Sequence, residues 1–145
     1  MDPFSITLGV VTFVTLASKA GLELKKLRNG ATEASTINAM LADLKALKVV
    51  LELIEDGFED LDSRAPLTGI IGVHWQALKA TLTDGCAAMD TLRELLVDIN
   101  KEVSNLDAIR RGKRLKEAND RIVLYRQEIQ AYKDALQLSF QSVIL

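Results

Sequence analysis

The stretch that decides the fold is Ile37-Asn-Ala-Met-Leu-Ala-Asp-Leu-Lys-Ala-Leu-Lys-Val-Val-Leu-Glu-Leu-Ile54. Its apolar positions fall at Ile37, Met40, Leu44, Leu47, Leu51 and Ile54, and continue through Phe58 and Leu61. The steps alternate between three and four residues, which puts all eight side chains on one stripe of an α-helix. Thr32 or Ser35 can cap this helix, and Asp62-Ser63-Arg64-Ala65-Pro66 ends it, because proline cannot continue a helix and restrains the residue before it.

The same period extends outward in both directions, and no strand-like alternation persists anywhere. Upstream, a helix is expected from Phe4 to Leu27, stopped by Asn29-Gly30. Downstream, a third helix follows a Gly-containing lead-in at Leu67–Gly72. It carries Ile71, Trp75, Leu78, Leu82, Met89, Leu92, Leu96, Ile99, Val103 and Leu106. Gly85 fills the one gap in that seam, and a small residue there predicts close approach by another helix. Arg110-Arg111-Gly112-Lys113-Arg114 reads as the next turn. The fourth helix then carries Leu115, Ala118, Ile122, Tyr125, Ile129, Tyr132, Leu136 and Phe140.

Four long helices with one stripe each predict an all-α fold, an antiparallel up-down helical bundle forming one domain over residues 1–145. A chain of 145 residues can bury roughly 68–70% of its unfolded surface and needs no staple. Its 48% apolar and 26% charged content is that of an ordinary globular protein. The single Cys86 excludes an intrachain disulfide, which fits a reducing compartment.

The topology carries an expectation about charge. In an up-down bundle the turn between the first two helices and the turn between the last two share one end. That end receives Lys25, Lys26 and Arg28 together with Arg110, Arg111, Lys113, Arg114 and Lys116. The other end receives Glu52, Glu55, Asp56, Glu59, Asp60 and Asp62, along with the N-terminus. A chain of net charge −2 thus becomes a polarised rod.

Catalytic signatures are missing. There is no P-loop, dinucleotide fingerprint or nucleophile elbow. His74 and Cys86 lie roughly 18 Å apart along one helix and cannot form a nucleophile pair within it. Cys86 reads as a small, partly buried thiol beside the seam, His74 as a helix-start residue and Trp75 as core. The carboxylates between Glu52 and Asp62 alternate with the seam, which predicts a solvated face rather than a metal site. No enzyme, cofactor or small-molecule substrate is therefore expected. The basic run lacks interleaved aromatics, so nucleic acid is not expected either. A contact with anionic lipid and a plain solvated turn both remain open for it.

The first helix is unusual. From Pro3 to Ser18 there are 16 residues without a charge, five of them Ser or Thr. The run falls short of the roughly 20 residues needed to cross a bilayer core. It carries neither the basic n-region of a signal peptide nor the scattered arginines of a mitochondrial presequence. Apolar residues at Phe4, Ile6, Leu8, Val10, Val11, Phe13, Val14 and Leu16 occupy more than one face. Two readings stay open. Either this helix is the most enclosed element, in the bundle centre or a dimer interface, or it is released and enters a bilayer.

The opening Met1-Asp2-Pro3-Phe4-Ser5-Ile6-Thr7-Leu8-Gly9-Val10-Val11 resembles the start of the fungal HeLo-like family, the N-terminal domains of NOD-like (STAND) receptors and related proteins. The leucine-rich helix with an acidic end, Leu44 to Leu61, and the closing Asp134-Ala-Leu-Gln-Leu-Ser-Phe-Gln141 are similar to later parts of that family. The resemblance implies a helical bundle followed by receptor domains or working with a partner receptor. It further implies self-association, and a cytoplasmic resting state that becomes membrane-associated on activation. In the family's better-understood relatives, clustering exposes the N-terminal helix, which then attacks the membrane and executes cell death. Carried over, that role falls on Phe4 to Leu24. Independently of the resemblance, the charge pattern offers Lys25, Lys26, Arg28, Arg110, Arg111, Lys113, Arg114 and Lys116 as a contact to anionic lipid, against the plain solvated turn. The alternative is a homotypic or adaptor module that passes a signal by assembly alone.

Overall fold

The described residues of the second seam and most of those of the third are buried, as are Ala118, Ile122, Ile129 and Leu136 of the fourth, whereas Leu115, Tyr125, Tyr132 and Phe140 are half-buried. The computed structural model describes residues 3–30, 34–61 and 70–144, with side chains described for 6–29, 34–57 and 76–142. Four helices account for them: α1 (Pro3–Gly30), α2 (Ser35–Leu61), α3 (Ile70–Ser104) and α4 (Ala108–Ile144). On α1 the buried positions are Ile6, Val10, Phe13, Ala17, Ala20, Leu24 and Leu27, and on α2 they include Ile37, Met40, Leu44, Leu47, Leu51 and Ile54. On α3, Leu78, Leu82, Met89, Leu92, Leu96, Ile99 and Val103 point inward, and α4 contributes Ala118, Ile122, Ile129 and Leu136. No polar or charged residue is buried among the described residues, so the centre is held by apolar burial alone. Thr32, Asp62 and Pro66, and the side chains of Phe58, Leu61, His74 and Trp75, lie outside what the structure describes.

The helices pack along four edges, α1 with α3, α3 with α4, α4 with α2 and α2 with α1. The sense of each edge follows from its contacts. Leu41 approaches Gly21, and the Arg28 guanidinium donates to Asn38 Oδ1 at 3.3 Å, so α1 and α2 run antiparallel. Arg114 pairs with Glu102 at 2.7 Å and Tyr125 shares a cleft with Ala88 and Met89, so α3 and α4 do too. By contrast Gly9 faces Leu82 and Glu23 faces Asn100, which makes α1 and α3 parallel. The Asp43–Arg126 ion pair (2.6 Å) and the approach of Phe140 to Gly57 make α2 and α4 parallel as well. Direction thus alternates along the chain, while the consecutive helices α2 and α3 sit at opposite corners.

Several boundaries differ from the sequence reading: α1 runs past Leu27 to Gly30, α3 stops at Ser104 short of Leu106, and the starts of α2 and α4 shift. Ser35 is the first residue inside α2, because the Asn38 amide already donates to the Ala34 carbonyl at 2.8 Å. The basic run 110–114 is not a turn; it forms the first turns of α4. Asp107 is the reason. Its carboxylate accepts the Arg110 amide at 2.9 Å and its carbonyl accepts the Arg111 amide at 2.9 Å, which caps a helix beginning at Ala108. Arg111 then folds back, donating to the Val103 and Leu106 carbonyls, both at 3.2 Å, and so satisfies exposed acceptors at the end of α3.

Candidate functional site: the outward face of the first helix

α1 occupies a corner of the bundle, in contact with α2 and α3. One stripe is buried, and the opposite face is not covered. Leu8 is 58% exposed, Val11 46% and Leu22 59%, and Thr12 and Thr15 are exposed between them. Val14 and Leu16 are half-buried at the margins. Of the two readings of this helix, the enclosed one is therefore not what the single chain shows: several apolar positions left over by the inward stripe face outward.

That outward face is less polar than its composition. The Thr12 hydroxyl donates to the Leu8 carbonyl and the Thr15 hydroxyl to the Val11 carbonyl, each at 2.9 Å. Threonine in a helix can satisfy its hydroxyl this way and present its methyl group instead. Between Leu8 and Ser18 the face carries no charge. Helix formation also lengthens the candidate span. The stretch Ile6–Asn29 (24 residues) is long and apolar enough to cross a membrane, although a buried core helix can meet the same criterion. Counting only the uncharged run misses this, because the helix continues past Lys19.

At the C-terminal end of α1 the expected basic residues converge, since α1 and α3 run parallel and α4 begins beside the end of α3. Their charges are not all free. Lys26 pairs with Glu23 (3.1 Å), Arg110 with Asp107 (3.7 Å) and Arg114 with Glu102 (2.7 Å), and Arg111 caps α3. Lys25, Lys113 and Lys116 have no ion-pair partner among the described residues. Glu23 is held a second time: Asn100 Nδ2 donates to its carboxylate at 2.7 Å and to its backbone carbonyl at 3.0 Å. This ties α1 to α3 near the basic end. Asn100→Leu loses both bonds and is expected to cost about 1–2 kcal/mol, read as a lower denaturant midpoint. An unchanged midpoint would show the tie contributes nothing.

One group of cations escaped the sequence reading. Lys45 and Lys48 on α2 face the same groove as Lys25 and Arg28 on α1. The groove measures about 580 Å³ and has a floor of small and aliphatic residues including Ala17, Gly21 and Leu44. No carboxylate lines it. Its signal was hidden because lysines flanking a seam look like ordinary solvated positions until the neighbouring helix is placed. At the other end, Glu52, Glu55 and Asp56 lie level with the start of α1, as the antiparallel α1–α2 pairing requires. Glu59, Asp60 and Asp62 fall outside the described side chains.

Cys86 sits beneath α1. Its thiol donates to the Gly9 carbonyl at 3.5 Å, and burial pushes its pKa up from 9.0 to about 11. Such a thiol is a poor nucleophile, and its value lies in its position under the helix of interest.

No protein-family model, curated protein or solved structure matches this chain.

Proposed function

We propose that the chain is a non-enzymatic, membrane-targeting effector module of the HeLo-like kind, cytoplasmic at rest, in which clustering releases α1 into an anionic bilayer. The observation that carries this reading is the uncharged outward face of α1, exposed from Leu8 to Thr15 with its threonine hydroxyls turned inward. Such a face is poised to meet lipid before any rearrangement. Full release is a larger step. It uncovers Ile6, Val10, Phe13, Leu24 and Leu27, each fully or almost fully buried. At about 1.5–3 kcal/mol per large apolar side chain, that amounts to on the order of 10 kcal/mol. A penalty of that size keeps the resting bundle closed and calls for a trigger such as forced clustering.

The test is dye leakage from anionic vesicles with the protein clustered through an inducible oligomerising tag. Val11 and Leu8 are exposed, so Val11→Asp and Leu8→Asp leave the fold intact. A carboxylate carried to the bilayer centre costs about 2.5–3.5 kcal/mol, so leakage is expected to fall by tens to hundreds of fold. Deleting residues 1–20 is a poorer comparison, because it removes five buried core residues. Leakage equal to wild type in both variants removes α1 from the mechanism. An inert clustered wild type sinks the lytic role in favour of an assembly or adaptor module. Apolar residues exposed away from α1, among them Val49 and Leu53, are what that second reading would use.

A further inference from the structure

α2 carries a second stripe that the bundle does not use. Ala42, Ala46, Val49 and Leu53 follow steps of four, three and four, and all are exposed, Val49 by 50% and Leu53 by 56%. This is the spacing of a coiled-coil seam, pointing away from the core. Beside it, Lys45 and Glu52 are both exposed and seven residues apart, so they occupy equivalent flanking positions of successive heptads.

We infer that this face docks antiparallel on the same face of a second copy of the chain, about a two-fold axis passing near residues 47 and 48. With that axis Leu53 packs over Ala42 of the second copy and Val49 over Ala46, so every layer sets a large side chain on a small one. Lys45 meets Glu52 of the second copy, and the symmetry repeats each contact once. A parallel, in-register pair would set Leu53 on Leu53 and leave alanine against alanine. It would also place Lys45 near Val50, which is buried toward the core. The occupant is a copy of the chain because the stripe is complementary to itself in both size and charge. An anionic membrane fits it poorly, since Glu52 and the exposed Asp56 lie at one end. The contact goes beyond the proposed release of α1 and does not depend on it, because the seam and its flanking charges all belong to α2.

From Ala42 to Leu53 the seam is about 17 Å long at 1.5 Å per residue, so a weak dimer is expected. Sedimentation equilibrium from about 10 µM to about 1 mM tests it, with dissociation constants in the micromolar range expected. The mass should rise from 16.0 kDa towards twice that value. Lys45→Glu or Glu52→Lys alone replaces two symmetry-related attractions with repulsions and should weaken the dimer roughly tenfold. The double variant Lys45→Glu with Glu52→Lys should recover wild-type affinity within about threefold. Val11→Asp should leave the dimer unchanged, so failure here is distinguishable from failure of the membrane reading. The inference is overturned by a 16.0 kDa species throughout, by a dimer indifferent to the single reversals, or by singles that the double does not rescue.

Discussion

At pH 8 the Cys86 thiol of the resting bundle is expected to react with a disulfide reagent about a hundred times more slowly than the same thiol in the unfolded chain. Only the thiolate attacks, and burial under α1 raises the pKa from 9.0 to about 11, two units that lower the thiolate fraction about a hundredfold. The thiol donates to the Gly9 carbonyl, so it is α1 that covers it. Reactivity therefore reports whether α1 is in place. Clustering on anionic vesicles should bring the rate back towards that of the unfolded chain if α1 leaves, and should not change it if the bundle assembles intact. A folded-state rate within a few fold of the unfolded one would show that α1 does not protect this site. The same shift predicts a pH dependence. The fold favours the neutral thiol, so this contribution is complete below pH 9 and is lost as pH rises from about 9 towards about 11. Two units set an upper bound of about 2–3 kcal/mol, and the half-buried thiol delivers less because solvent screens part of the effect. Denaturant midpoints should fall more steeply across that range in wild type than in Cys86→Ala.

Gly85→Ala should destabilise the protein, and Gly112→Ala should stabilise it. Both glycines are helical, and alanine is the better helix former by about 1 kcal/mol. At Gly112 nothing lies within 4 Å of an added Cβ, so the propensity gain of about 0.5–1 kcal/mol stands. At Gly85 the added carbon would sit 2.6 Å from Phe13 Cζ and 3.3 Å from Phe13 Cδ2. Phe13 is fully buried. Overpacking of this kind costs about 1–3 kcal/mol, more for Gly85→Val, and outweighs the propensity gain. For a chain of this length each kcal/mol moves the midpoint by roughly 2–4 °C in thermal melts. Because Phe13 belongs to α1, Gly85→Ala should also raise Cys86 reactivity. A Gly85→Ala protein as stable as wild type would mean that α1 and α3 are not in the close contact described.

Much of this was legible in residue spacing. The seams of α2, α3 and much of α4, the end of α1 near Asn29-Gly30 and the need for a small residue at Gly85 are local patterns, which the chain writes into its own order. The start of α4 was misplaced for an equally local reason. Five consecutive residues rich in charge read as a turn, whereas Asp107 caps the helix before them. The candidate site was legible only in outline. Its apolar residues on more than one face were visible in the sequence, but which of them face outward depends on which stripe the neighbours cover.

The sequence by itself determined that this protein is built of four amphipathic helices, that one of them is uncharged over its first half, and which residues of α2 and α3 form the core. Tertiary structure decided that α1 stands at a corner with Leu8, Val11 and Leu22 exposed. It also decided that α2 and α3 sit diagonally, and that Lys45 and Lys48 join Lys25 and Arg28 in one groove. The physical reason is that periodicity fixes which face of a helix must be buried, while the choice of neighbour comes from packing that acts between residues far apart in the chain. Phe13 closing on Gly85 and Asn100 holding Glu23 are contacts of that kind.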